Sequence, residues 1–299
     1  MKKSTLYLIA TFIILLVVAY LVFSPTQERT TSYSLSDLNL TIDSTLVNKI
    51  EITRGETSVT IEHTGGNWNL TSPLHYQADE QSVLSLLSAA NKFKVMSLIS
   101  SNPAKQALYQ VDSLSGTSIK FFDRKGNAIS LIVGKMSPSY METYVRQLAS
   151  NDVYLAEGLN SWLINKEVRE WRDKTIFKTE RDRIKQVAFK YSKDKFLLTK
   201  LDTINWAVDS DSANNTNVSN LISALSNFRT EDFVDTAISL STPQLKLQIA
   251  TNEGTNIQFY PIPPDSAKYF VTTSHSQQIF SVSKYAAQQI LKQKKDLKK

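Results

Sequence analysis

Few residues of this chain have the types and spacing that chemistry requires. It contains no cysteine and three histidines, His63, His75 and His275. None of them has a second histidine three or four positions later, the spacing of a helical metal site. The G-x-S-x-G elbow, the P-loop and the G-x-G-x-x-G pattern are absent. We therefore expect no catalytic residue, no metal and no cofactor. An Asp- or Glu-dependent hydrolase is the last-placed alternative, because it needs two converging carboxylates.

Two groups of acidic residues have a possible chemical use. Asp209-x-Asp211-x-x-Asn214 has the clustered oxygens of a calcium loop. It lacks the glycine at the sixth position and has Asn220 where a bidentate Glu belongs, so an ordinary solvated loop is the better interpretation. The pair Asp79-Glu80 resembles a general acid pair, but Asp79 is more simply a helix N-cap.

Four larger side chains are candidates for contact with a partner or ligand. Trp68 and Trp206 occupy matching places in two similar stretches of the chain. Such tryptophans usually fill the same core position twice, and a sugar-stacking platform is the alternative. Tyr144 and Arg146 alternate along a predicted strand and so share one face. That face would suit a protein partner, or Arg146 would pair with an acid of the sheet.

The net charge of +6 is concentrated at the two ends of the chain. Lys2 and Lys3 contribute +2, and residues 292–299, with five lysines and Asp296, contribute +4, so residues 4–291 carry no net charge. Nucleic-acid binding requires a concentrated basic face, so this class of function is excluded. The C-terminal lysines are expected to form a solvated helix end, with attraction to anionic lipid as the alternative.

The first 24 residues predict a membrane anchor. Leu6 to Phe23 is an uncharged apolar run that as a helix spans about 27 Å, close to the thickness of a bilayer's hydrocarbon core. Lys2 and Lys3 favour a cytoplasmic N-terminus, which places the body outside the cytoplasm. The competing interpretation is a cleaved signal peptide, but the run is longer than usual and lacks a small-x-small cleavage site. The absence of cysteine suits a bacterial inner membrane protein with a periplasmic body.

The remainder of the chain is predicted to be a duplication. After a polar tether, residues 25–46, two similar stretches follow: repeat 1 at 47–174 and repeat 2 at 184–299, joined by a linker at 175–183. Leu86-Leu87-Ser88-Ala89 and Leu221-Ile222-Ser223-Ala224 match at an offset of 135 residues. The apolar spacing in both is that of a one-faced helix.

The strand pattern of each repeat predicts an α+β fold. Segments with period-two alternation, such as Ile129 to Val133 and Ile257 to Phe259, are bounded by turn residues and indicate antiparallel hairpins. Single helices interrupt these groups without βαβ alternation. We expect an N-terminal transmembrane helix followed by two tandem homologous α+β units with mainly antiparallel sheets. Repeat 2 should end in a basic helix from Lys284 to about Lys295.

The chain resembles the DUF4340 family, bacterial proteins of unknown function. The resemblance rests on Trp68-x-Leu70-x-x-Pro73, Asp79, Val83-x-x-Leu86-Leu87, Tyr144-Val145-Arg146, Val153-Tyr154-Leu155 and Trp171-Arg172-Asp173-Lys174. It spans most of the chain after the tether. The family often has Tyr-Gly-Leu where this chain has Tyr109-Gln110-Val111. The resemblance implies an envelope protein linked with ABC-type transport systems of the gliding-motility auxiliary kind.

These observations predict a non-catalytic, membrane-anchored envelope protein. It would act as an accessory or scaffold subunit of a membrane complex such as an ABC transporter. The alternative is a binding module for envelope glycan or peptide, which would require exposed Trp68 and Trp206.

Overall fold

The computed structural model describes residues 12–15, 40–251, 254–262 and 267–299. Residues 12–15 are helical, and the rest of the predicted anchor, residues 1–24, lies outside the described residues. So does the predicted tether up to residue 39. Within the described ranges, no helix has both the length and the apolar character needed to cross a membrane.

The chain divides into two compact units, and the boundary falls between Trp171 and Arg172. The strands of the first unit are β1 Val47–Arg54, β2 Thr57–Thr64, β3 Asn67–Ser72, β4 Tyr76–Gln77, β5 Lys94–Ser100, β6 Thr117–Asp123, β7 Ala128–Met136, β8 Thr143–Gln147 and β9 Val153–Glu157. Its helices are α1 Glu80–Asn91 and α2 Ser161–Ile164, with 3-10 turns at Pro103–Lys105, Ala107–Tyr109 and Val168–Glu170.

The strands of the second unit are β10 Thr175–Lys178, β11 Gln186–Tyr191, β12 Lys195–Lys200, β13 Trp206–Val208, β14 Asp211–Ser212, β15 Asn227–Arg229, β16 Asp232–Val234, β17 Leu245–Ala250, β18 Thr255–Pro261, β19 Lys268–Thr273 and β20 Ser276–Ser283. Its helices are α3 Asn215–Ser226, α4 Lys284–Ile290 and α5 Lys294–Leu297, with a 3-10 turn at Arg181–Arg183.

Each unit is built on a nine-stranded antiparallel sheet, and the two sheets have the same strand order. The order in the first is β4-β3-β2-β1-β6-β7-β8-β9-β5, and in the second it is β14-β13-β12-β11-β17-β18-β19-β20-β16. When the nine strands of each sheet are numbered by their order along the chain, the two sheets have the same arrangement. The predicted α+β class with mainly antiparallel sheets is confirmed.

One helix in each unit buries an apolar stripe. The buried residues of α1 are Val83, Leu86, Leu87 and Ala90, and those of α3 include Val218, Leu221, Ile222 and Leu225. Both sets have the i, i+3, i+4, i+7 spacing of a one-faced helix. In the first unit this stripe belongs to the same buried cluster as Ile50, Ile61, Leu70 and Phe121 of the sheet.

Each unit is closed by a segment that returns to the start of its main helix. In the first, the amide of Asp79 donates to the carbonyl of Trp171 at 2.7 Å. In the second, the amide of Asn214 donates to the carbonyl of Leu297 at 2.8 Å. Trp171 and Leu297 are both fully buried. Both returning segments begin with a capping box, formed by Glu167 with Glu170 and by Gln293 with Asp296.

Two segments differ from the expected outline. Residues 175–183 contain β10, which pairs with β15, and a 3-10 turn, so they form part of the second unit's secondary structure. The expected C-terminal helix is two short helices, α4 and α5. The break follows Leu291, and the carbonyl of Lys292 accepts the Tyr191 hydroxyl at 2.8 Å instead of continuing a helix.

Candidate functional site

Arg146, on β8, lies inside the first unit. It is 8% exposed, and its Nε donates to the carbonyl of Val111 at 2.9 Å. Its Nη1 donates to the carbonyls of Gln147, Leu148 and Ser150, the last at 2.7 Å. Burial lowers the pKa of the guanidinium, and the nearby Asp112 carboxylate opposes that shift. Arg146 therefore fastens two loops to the sheet instead of facing a partner.

Tyr144 shares the face of β8 on which Arg146 lies. Its ring is half-buried, 4.7 Å from that of Tyr109 between centroids and tilted by 38°. Both tyrosines pack on a small cluster of Val111, Ile132 and Val153. The segment around Val111 thus covers the Tyr144 and Arg146 face of the sheet, which explains why β7 is buried on both sides.

The two tryptophans are core residues in this structure. Trp68 and Trp206 are each 8% exposed. Their carbonyls accept from the amides of Ala78 and Ala213 at 2.9 and 3.0 Å, so both play the same backbone role in their units. Neither offers the exposed indole face that a sugar-stacking platform needs. The exposed tryptophans that would favour a glycan-binding module are therefore not found at these two positions.

The acidic residues considered for chemistry have structural partners. Asp79 caps α1, with its Oδ1 accepting from the amide of Ser82 at 2.9 Å. Asp209 and Asp211 form ion pairs with Lys294 and Lys298. The hydrogen bonds from these lysines hold the pKa of both carboxylates below the usual range.

The Asn214 side chain caps α3 by accepting from the amide of Asn217 at 3.2 Å. All three oxygen-bearing residues of the calcium-like motif are therefore engaged within the fold. Across the described ranges, no group of three or more His, Asp or Glu side chains is arranged to hold a metal ion.

The structure brings together residues that the sequence pattern does not connect. At one end of the first unit's sheet lies a cleft of about 330 Å³, here named the unit 1 cleft. Its lining includes Arg54, Gln110, Lys135, Met136, Tyr140 and Trp162. These residues come from five separate segments, and neither spacing nor periodicity links them. The single hint in the sequence is Trp162, a large aromatic residue in a short helix.

The comparisons with known proteins agree with the resemblance noted above. The family model described as Domain of unknown function (DUF4340) matches residues 68–246. That match runs from β3 of the first unit to β17 of the second. No curated protein and no solved structure matches the chain.

Proposed function

We propose that this chain, which belongs to the DUF4340 family, is a non-catalytic envelope protein and an accessory or scaffold subunit of a membrane complex. Its N-terminal run would anchor it in a bacterial inner membrane, with the body in the periplasm. An ABC-type transporter is the proposed partner. Anchoring would confine the body beside other membrane proteins and so raise its effective concentration there.

The observation that carries the proposal is the structural use of the polar residues that chemistry would need. Asp79 caps a helix, Asp209 and Asp211 pair with lysines, and Arg146 binds backbone carbonyls. A catalytic site instead needs a nucleophile or base within hydrogen-bond reach of a partner that activates it. The arrangement of these residues supports a role in binding or positioning other molecules.

The location is supported by the sequence. The apolar run from Leu6 to Phe23 has the length of a membrane span, and two lysines precede it. The chain has no cysteine, which suits an envelope protein that folds without disulfides. The choice of an ABC-type partner comes from what the DUF4340 resemblance implies.

Topology reporters test the location. A reporter that is active only outside the cytoplasm, fused after Lys299, should be active, and one that is active only in the cytoplasm should be silent. The same fusions to a chain lacking residues 1–24 should reverse the pattern. Activity of the cytoplasmic reporter on the full chain would contradict the proposal.

A further inference from the structure

The unit 1 cleft is formed where three neighbouring strands end beside a short helix. β1, β6 and β7 are consecutive in the sheet, and Arg54, Thr117 and the Gly134–Met136 segment lie at the same end of it. Helix α2 is fastened there, because the Thr117 hydroxyl donates to Asn165 Oδ1 at 2.6 Å. The Asn160 side chain caps its first turn. The cleft is therefore formed by three strands of the sheet and a short helix that hydrogen bonds hold in place.

Exposed apolar side chains surround this cleft. Trp162 is 78% exposed and Tyr140 is 75% exposed, and both line it. Met141, next to Tyr140, is 76% exposed. Trp, Tyr and Met are enriched in protein–protein interfaces, and Trp and Tyr are the commonest residues at energetic hot spots with Arg. The other tryptophans, at positions 68, 171 and 206, are all buried.

The cleft also carries positive charge that the fold does not neutralise. Arg54 and Lys135 line it, and neither forms an ion pair with a carboxylate in the described part of the chain. The nearby acids are engaged locally: Asp112 binds Ser115, and Glu142 binds Ser137 and Ser139. In the second unit a cleft of about 380 Å³ contains Lys200, but Asp182 pairs with it at 2.8 Å. Arg181 also lines this second cleft and hydrogen-bonds Ser219 instead of a carboxylate, so both clefts contain a cation without an ion pair among the described residues.

Two lining residues have left-handed backbone conformations that residues other than glycine rarely adopt. Gln110 has a φ of 56° and Tyr140 a φ of 60°. Such conformations are unfavourable for residues other than glycine, and they concentrate at functional sites. Each is fixed by a turn: the amide of Gln110 donates to Ala107 O at 3.1 Å, and that of Tyr140 to Ser137 O at 3.0 Å. The turn fixes the backbone from which the exposed Tyr140 side chain projects.

We propose that the unit 1 cleft is the docking site for an acidic, aromatic-containing peptide segment of the partner protein. Carboxylates of that segment would pair with Arg54 and Lys135, and its apolar side chains would pack on Trp162 and Tyr140. The charge of the cleft selects an acidic occupant, and the aromatic rim selects an apolar one. This inference deepens the proposed scaffold function and rests on it.

A peptide selection with the full chain in mild detergent tests the proposal. A random library of displayed 12-residue peptides is selected against the protein, and enriched sequences are synthesised. We expect enrichment in Asp and Glu together with aromatic residues. Binding should shift Trp162 emission to the blue and protect it from acrylamide quenching, because Trp162 is the one highly exposed indole of the four.

Charge-reversal variants supply the decisive comparison. R54E/K135E should lower the affinity for the selected peptides by about tenfold or more, and W162A should lower it to a similar extent. K190E/K246E makes the same change of charge at two exposed lysines of the second unit and should leave affinity within about twofold. Y285S, at an aromatic residue that is 75% exposed elsewhere, is the matched control for Y140S.

Three results would overturn the inference. They are peptides without acidic enrichment, peptides that bind R54E/K135E as well as the original chain, and no enrichment over successive rounds. A sulfated oligosaccharide that protects Trp162 when no peptide does would assign the cleft to anionic glycan instead. A membrane partner recovered without any cleft-binding peptide would refute this docking site and leave the scaffold function standing.

Discussion

At Arg146, a charged side chain is held inside the protein by backbone carbonyls from two loops. Replacing it by methionine keeps much of its volume but removes those hydrogen bonds and leaves the carbonyls without their donor. We expect Arg146→Met to lower the free energy of unfolding by about 2–4 kcal/mol, since bonds to charged groups contribute about 1.5–3 kcal/mol.

Urea unfolding followed by circular dichroism measures this loss. The matched control is Arg124→Met, which changes an exposed arginine in the turn between β6 and β7. That control should change stability by less than about 0.5 kcal/mol. Equal losses for the two variants would contradict the structural role assigned to Arg146.

Gln110 offers a second test at the scale of one residue. Its φ of 56° and ψ of 38° are left-handed, a conformation that glycine adopts without steric cost. We expect Gln110→Gly to stabilise the chain by up to about 1 kcal/mol in thermal or urea unfolding.

The control for Gln110 is the glutamine four residues earlier. Gln106 has a φ of −59° in the right-handed region, so Gln106→Gly should destabilise by about 1 kcal/mol. The two variants should therefore shift stability in opposite directions. A destabilisation of similar size in both would refute the conformational argument.

The sequence supports some assignments of single residues and not others. The N-cap role of Asp79 follows from its place before an apolar helical pattern, and the structure confirms it. The burial of Arg146 could not be foreseen, because Val111, which accepts its bond, is 35 residues away in the sequence. Strand alternation places Arg146 on a face but does not reveal what covers that face.

At the scale of elements, the two main helices begin with equivalent caps. Asp79 and Asn214 each accept from the amide three residues later, at 2.9 and 3.2 Å. We expect Asp79→Ala and Asn214→Ala each to lower stability by about 1 kcal/mol in urea unfolding. Ser88→Ala, on the exposed face of α1, is the control and should be neutral or slightly stabilising. An asymmetric result, with one cap neutral, would contradict the equivalence of the two units.

The C-terminal segment should be sensitive to acid. The pKa values of Asp209 and Asp211 are lowered by Lys294 and Lys298, and that of Lys294 is raised by Asp209. A lowered carboxylate pKa contributes stability above the unfolded value of about 3.9, and this is lost as pH falls through the folded pKa. The raised pKa of Lys294 matters at high pH, because the stability it contributes is lost as pH rises through the pKa of this lysine in the folded state.

Thermal unfolding over a range of pH checks that dependence. Asp209→Asn with Asp211→Asn should lower the melting temperature near neutral pH, and the difference from the original chain should shrink as pH falls below about 4. Glu231→Gln, at an exposed glutamate of the same unit, is the control. A difference that stays constant into acid would show that these ion pairs do not stabilise the segment.

Helices and hairpins were predictable where their periodicity is strong, as in α1, α3, β7 and β17. Two strands were not anticipated: β5 and β16, which are the next strands of the two nine-stranded sheets after the main helices. They pair with β9 and β20, more than 40 residues further along the chain, so their partners lie outside any local pattern. The local sequence predicts whether a segment forms a helix or a strand better than it predicts which strand lies next to that segment in the sheet.

For the whole molecule, the similarity of the two units is the feature that both the sequence pattern and the strand order indicate. The repeated helix motif predicts it, and the identical strand order extends it to both sheets. The two clefts show where this similarity ends, because the exposed Trp162 and Tyr140 line the cleft of the first unit, whereas Trp206 of the second unit's cleft is buried. A site made of five segments depends on tertiary structure, and no single stretch of sequence predicts it.

The proposed scaffold function is tested most directly by crosslinking in living cells. The full chain is crosslinked in cells, purified in mild detergent, and its partners are identified by mass spectrometry. We predict a membrane-embedded transporter subunit in a fixed ratio to the chain, and its loss when residues 1–24 are deleted. A chain that is always recovered alone after crosslinking would contradict the account.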